Sequence, residues 1–153
     1  MKQSMQLCTF VVDDLCFGVD VMRVQEVLRF QEMTRVPLAP KVIHGLINLR
    51  GQIVTALDLR ERLGLEPRSD GELPMNVVIR GTEAPFSLLV DHIGDVIEVA
   101  EESFESPPST MVARHRQVID AVCKLPGHLL LLLDPDLVLA ASDAVVRESR
   151  LFQ

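Results

Sequence analysis

The chain contains no tryptophan and no tyrosine, and only six phenylalanines among its 153 residues. Hydrophobic residues nonetheless make up 48% of it, so the core must be packed from aliphatic side chains. The aromatic walls that small-molecule pockets often use are scarce. The phosphate-cradling pattern Gly-x-x-x-x-Gly-Lys and the dinucleotide pattern Gly-x-Gly-x-x-Gly are both missing. The four histidines, His44, His92, His115 and His128, form no His-Glu-x-x-His pair, and none stands near a cysteine at zinc spacing. Cys8, Cys16 and Cys123 lie in apolar, strand-like contexts and read as buried reduced thiols of a cytosolic protein. No apolar run approaches the roughly 18 residues of a membrane helix, and the first residues lack the apolar stretch of a secretory leader. Positive charge is also short: 15 Lys and Arg against 22 Asp and Glu give a net charge of −7 and a pI near 5.0. That balance argues against nucleic acid or an anionic membrane as the main partner.

Catalytic constellations are equally thin. His92 follows Asp91, but neighbouring strand residues point to opposite faces, which spoils an acid–base pair. Asp134-Pro135-Asp136 is better explained by a helix cap than by a metal carboxylate pair. Arg114-His115-Arg116 reads as a solvated loop, and Ser103, Ser106 and Ser109 lie in a loop without a supporting signature. Lacking a nucleophile, a base and an anion hole in one place, the chain is expected not to be an enzyme and to need no cofactor or metal.

The stretch from His44 to Arg60 carries the most information. Gly51-Gln52 separates two runs of β-forming residues, and Gly at the first central position suits a type II′ hairpin turn. With 51–52 as the loop, Arg50 faces Ile53, Leu49 faces Val54, Asn48 faces Thr55 and Ile47 faces Ala56. One face then carries Ile47, Leu49, Val54 and Ala56 and should be core. The other mixes Asn48, Arg50 and Thr55 with Leu46, Ile53 and Leu57. A buried Arg needs a partner, so this face reads as a surface that meets something.

Elsewhere, Leu7–Val12 and Leu15–Val19 form a hairpin about Asp13-Asp14. Val21 to Leu28 fits both a helical stripe and a strand face; a short helical turn at Asp20–Arg23 before a strand from Val24 to Phe30 is the expectation. Pro40 suits the start of a short helix that Gly45 would close. Asp58-x-x-Glu61 resembles a capping box, with Gly64 ending the helix. The breaker-rich stretch through 67–74 reads as a linker. Met75–Arg80 and Phe86–Val90 form a second hairpin, Val96–Val99 a short strand, and 101–117 mostly loop. Val118–Leu125 and Leu129–Leu133 are strands, the leucine run implying burial on both faces. Asp134 caps a final helix expected over 135–150, with Val138, Ala141, Val145 and Phe152 as its apolar stripe.

The second half echoes the first. Phe17-Gly18-Val19, Val24 and Glu26 align with Phe86-Ser87-Leu88, Ile93 and Asp95. Ile43-x-Gly45 aligns with Ile119-x-Ala121, and Gly51 through Leu57-Asp58 with Gly127 through Leu133-Asp134. About five strands per unit predicts an all-β fold with short helices. Two five-stranded barrel-like subdomains, 6–66 and 75–134, would be followed by the C-terminal helix. Arg50 has no charged counterpart in the second unit.

The pattern Ile43-x-Gly45-x-x-Asn48-Leu49-Arg50-Gly51-x-Ile53-Val54, followed by Leu57-Asp58-Leu59-Arg60, resembles the signature of CheW-like domains. These bacterial chemotaxis coupling proteins join chemoreceptors to the histidine kinase CheA. The resemblance runs from Leu7 to Leu139. It implies a cytoplasmic adaptor recruited to receptor arrays, without insertion into the membrane. Such an adaptor would bind the regulatory domain of a CheA-type kinase through the first barrel. It would bind the chemoreceptor tip in a groove near the subdomain junction. Weak self-association is compatible with it. Val24 and Glu26 match the family's Val-x-Glu motif, whose neighbourhood is implicated in partner contacts. The candidate partner-binding residues are therefore Val24, Glu26, Gly45, Asn48, Arg50 and Gly51. Arg50 has two open roles, an interface contact and an internal salt bridge to Glu26, and these overlap. Asn48 either caps local backbone or meets a partner, and Gly45 and Gly51 are backbone-geometry residues. The hairpin lacks the family's usual proline at Thr55-Ala56, and Ala121 stands where a Gly is expected. A dedicated homologue from a surface-sensing or pilus chemosensory pathway fits as well. A reading of another class is a small-molecule-binding or enzymatic domain with its cavity between the two halves.

Overall fold

The computed structural model describes residues 3–140. Among them are eleven strands: β1 (Ser4–Val12), β2 (Leu15–Asp20), β3 (Val24–Leu28), β4 (Ile43–Leu49), β5 (Gln52–Asp58), β6 (Met75–Ile79), β7 (Phe86–Val90), β8 (His92–Ala100), β9 (Phe104–Glu105), β10 (Ile119–Leu125) and β11 (His128–Leu133). Two short helices, α1 (Leu59–Leu63) and α2 (Ala113–Arg116), interrupt them. A third helix starts at 135 and is described to 140.

Local chemistry explains most of these boundaries. Asp13 takes a left-handed φ of 57° in the β1–β2 turn, a region Asp tolerates better than most residues. Asp20 Oδ1 accepts the Met22 N–H at 2.9 Å and starts a single 3-10 turn before β3. Asp58 caps α1 through Arg60 N–H, and Gly64 ends it at φ 73°. The helix expected from Pro40 does not form. The Pro40 carbonyl accepts the Ile43 N–H at 2.9 Å in a turn, and Gly45 lies inside β4. Val96–Val99 proves to be part of a nine-residue strand, β8.

The strands form a six-stranded sheet, β8-β1-β2-β11-β10-β9, and a five-stranded sheet, β3-β6-β7-β5-β4. Neither hydrogen-bonded order closes on itself. The sequential division at 67–74 is not how the strands sort. The hairpin β1–β2 of the first unit sits in one sheet with strands of the second, and the hairpin β6–β7 joins β3, β4 and β5. The splices are parallel, β2 beside β11 and β7 beside β5, at equivalent places in the two units. The repeat is thus real, but its first hairpins are exchanged.

Equivalent irregularities support the duplication. The register of β4 against β5 shifts between Ile43 and Gly45, and that of β10 against β11 between Ile119 and Ala121. Asp58 N–H donates to the Val42 carbonyl at 2.7 Å, and Asp134 N–H to the Val118 carbonyl at 2.9 Å. Each aspartate then caps the following helix, Asp134 Oδ1 accepting the Asp136 N–H at 2.9 Å. Of the expected apolar stripe of the last helix, Val138 is fully buried, whereas Ala141, Val145 and Phe152 lie outside the described residues.

Period-two alternation feeds three apolar clusters. Between the sheets pack Phe10, Val12, Phe17, Val77, Ile79, Leu88, Leu131 and Leu133 with others. The alternate residues form a separate cluster on each sheet: Ile47, Val54, Val78 and Leu89 on one, and Leu7, Val99, Cys123 and Leu130 on the other. The leucines of β11 therefore are buried on both faces, as expected.

Candidate functional site

The β4–β5 hairpin carries most of the candidate residues, and its turn differs from expectation. Leu49 pairs with Gln52, Asn48 with Ile53 and Ile47 with Val54, so the loop is Arg50-Gly51. Both loop residues have positive φ, 50° and 88°, the backbone of a type I′ turn rather than type II′. Asn48 fixes it, its Oδ1 accepting the Gly51 N–H at 2.9 Å. The partner of every residue slips by two positions from the expected pairing. A slip of two leaves side chains on their original faces, so the core assignment survives: Ile47, Val54 and Ala56 are at most 1% exposed.

Arg50 stands at the tip with its side chain 69% exposed. Its Nη2 donates to Glu26 Oε1 on β3 in a short ion-paired contact. β3 and β4 are the opposite edges of the five-stranded sheet, so this pair joins the two ends of the sheet order. The sheet is therefore curled, and one guanidinium–carboxylate contact sits across its open seam. Both readings of Arg50 meet in that geometry: it is an internal salt bridge, and it is on the surface. Glu26 is less accessible, its side chain 23% exposed. On β5 the partner of Asn48, Ile53, is 58% exposed; Val27, 37% exposed, follows Glu26 on β3 and points to the other face.

The other candidates divide. Asn48 is exposed and serves the turn. Val24 is half-buried against the cluster between the sheets, so it is chiefly a packing residue. Gly45 is buried. A Cβ there would stand 2.8 Å from the Thr34 carbonyl oxygen and 3.0 Å from Met33 Cβ. The missing side chain lets the segment after β3 bridge onto β4 through Thr34 and Leu46. Gly45→Ala is expected to displace that backbone and lower stability by about 1–3 kcal/mol, which chemical denaturation would measure.

Sequence reasoning passed over a second set of charges. Asp91, at the β7–β8 junction, accepts from Arg60 Nε at 3.0 Å and from Arg60 Nη2 at 2.6 Å. It also accepts the Asp13 N–H at 2.7 Å. Arg68, from the expected linker, places Nη1 3.1 Å from Asp58 Oδ1 and Nε 2.9 Å from Asp91 Oδ1, the latter an ion pair rather than an aligned hydrogen bond. These side chains are between 9% and 11% exposed. Burial pushes the Asp91 carboxyl up. Hydrogen bonds from Arg60 and the Asp13 amide, with the charges of Arg68 and Arg60, outweigh that and hold it below the usual carboxylate range. The 67–74 stretch is thus pinned at Arg68, and the trailing Asp58-Leu59-Arg60 of the signature is accounted for by cap and ion pair. Asp91 is committed to this network rather than to His92. An Arg in a polar, breaker-rich stretch gave no sequence signal of such an anchor.

Just before the edge strand β3, Arg23 binds Asp136 with both terminal nitrogens, at 3.0 and 2.7 Å, and the Arg80 carbonyl at 2.9 Å. This ties the start of β3 to the last helix. No helix among the described residues is long and apolar enough to cross a membrane.

A family model described as the CheW-like domain matches residues 6–143. The chemotaxis protein CheW of Bacillus subtilis (strain 168) is 30% identical over 139 residues, covering 91% of this chain and 89% of that protein. That of Treponema pallidum (strain Nichols) is 28% identical over 136 residues, covering 86% and 80%. Among solved structures, the scaffolding protein TtCheW from Thermoanaerobacter tengcongensis superposes with a TM-score of 0.77 at 25% identity, covering 86% of this chain and 90% of that one.

Proposed function

We propose, from the premise that this chain belongs to the CheW-like domain family of chemotaxis adaptors and scaffolds, that it couples chemoreceptors to a CheA-type histidine kinase. In this reading it performs no chemistry and works in the cytoplasm, recruited to receptor arrays. Its task is to hold kinase and receptor in register. The Glu26–Arg50 corner, with Asn48 and Ile53 next to its turn, is the contact surface for the kinase's regulatory domain. The receptor's helical tip is the second partner.

One observation carries this. A long charged residue occupies a left-handed turn position, φ 50°, that Asn or Gly would fill more cheaply. Its guanidinium remains mostly in solvent although it is already paired. A planar fork with unused donors beside an exposed aliphatic is the composition of an interface anchor. Arg50→Asn tests it, because Asn-Gly is the preferred type I′ pair. The variant should fold with equal or slightly greater stability and yet lose kinase binding in pull-down and calorimetric titration. Retained binding would remove Arg50 from the interface.

A further inference from the structure

We infer that Arg62 and Arg114 form an oxyanion-binding clasp where α1 and α2 meet, built to take a carboxylate or phosphate group. It lies away from the Glu26–Arg50 corner and stands independently of the adaptor reading.

The two arginines come from different parts of the architecture. Arg62 lies on α1, which follows β5 of the five-stranded sheet; Arg114 lies on α2, which precedes β10 of the six-stranded one. Arg114 lies across the C-terminal end of α1, its Cδ and Cζ 3.1 and 3.3 Å from where a Cβ on Gly64 would stand. A glycine there leaves room for the incoming side chain. Arg62 Nη2 donates to Gln117 Oε1 at 3.2 Å, and its Nε is buried without a hydrogen-bond partner. Gln117 is neutral and leaves both cations unbalanced. Among the described residues neither guanidinium has an ion-pair partner.

Among the described residues, Arg23, Arg50, Arg60 and Arg68 each rest on a carboxylate. Arg29, Arg35, Arg80 and Arg116 do not, but of the arginines without one only Arg62 has a buried guanidinium nitrogen lacking a hydrogen bond. Arg23 and Arg60 are correspondingly stabilised as cations, by hydrogen bonds to Asp136 and Asp91. Arg62 is pushed the other way, first by burial and then by the charge of Arg114. In a chain with a net charge of −7, two adjacent guanidinia held without a counter-charge are an unfilled demand for one. An oxyanion bridging the terminal nitrogens of both would relieve the repulsion and gain charge-assisted hydrogen bonds from planar donors. Its source is either an acidic side chain of a polypeptide or a free phosphate.

The test uses the full chain labelled with 15N, observed at the arginine Nε–Hε resonances. Inorganic phosphate and hexaglutamate peptide are titrated separately at constant ionic strength. The expected result is a saturable shift of the Arg62 and Arg114 signals, with half-saturation on the order of 1–10 mM for phosphate. Arg23 and Arg60 should stay still. The shift should vanish in Arg114→Gln, an exposed position whose change leaves the fold untouched, and in Arg62→Gln. A lower half-saturation for the peptide assigns the clasp to polypeptide carboxylates; saturation by phosphate alone assigns it to the free ion. A linear response shared with the exposed Arg35 and Arg80, or saturation that survives Arg114→Gln, overturns the proposal.

Discussion

Arg50→Glu should cut binding of the kinase regulatory domain by about tenfold or more, equivalent to a hot-spot loss of at least ~1.4 kcal/mol. The substitution sets two carboxylates against each other across the seam of the five-stranded sheet. The fold should survive, because an exposed pair contributes only about 0–1 kcal/mol, a melting shift of at most roughly 4 °C in a chain this size. The exchange variant Glu26→Arg with Arg50→Glu separates the pair's two roles. It restores attraction across the seam but presents the wrong sign at the tip. Recovered melting temperature with continued loss of kinase binding is expected. Recovery of both would mean that the partner needs only a closed seam and never touches the guanidinium.

The largest effect on stability is expected at Asp91. Asp91→Ala leaves the side chains of Arg60 and Arg68, 11% and 9% exposed, without their shared carboxylate. Removing one member of a buried ion pair costs about 3–5 kcal/mol, since the remaining charge stays desolvated. Urea denaturation should show that loss as a lower midpoint. The pH dependence follows from the sign of the shift. The folded Asp91 carboxyl is held below its unfolded value, so the unfolded chain binds its proton first as pH falls. The stabilisation is fully present above the unfolded pKa of about 3.9, and it is lost as pH drops through the lower folded value. The parent protein should therefore lose stability on acidification below about pH 4, and Asp91→Asn should flatten that part of the curve. An unchanged acid limb in Asp91→Asn would show that other carboxylates govern it.

Much of this was legible in the residues, and the misses share a cause. The core face Ile47, Leu49, Val54, Ala56, the turn at Asp13, and the caps at Asp58 and Asp134 all rest on local pattern and local chemistry. The structure has each of them. The hairpin register was not legible from patterning. Pairings that differ by two residues bury the same side chains, and only the left-handed backbone of Arg50 separates them. The sorting of strands into sheets escaped for a similar reason. Each strand of β1, β2, β6 and β7 buries residues on both faces and fits either sheet. Nothing in alternation says which unit's hairpin joins which. Arg68, in a stretch that reads as a linker, and Asp91, at a strand end, are 23 positions apart, so their meeting had no periodic signature. At the candidate corner, the expected salt bridge between Arg50 and Glu26 is present, Gly45 has the backbone role read from the sequence, and Val24 packs against the cluster between the sheets.

The exchange of first hairpins bears on how the chain came to be and how it comes apart. Two short polypeptides of one unit each, trading their leading arms, would reproduce the main pairings seen here. The 67–74 segment turns such an interlocked couple into a single molecule. Severing it should therefore liberate no free-standing half. The nicked pieces should stay clasped and melt together, and either fragment made alone should lack the neighbours its strands require.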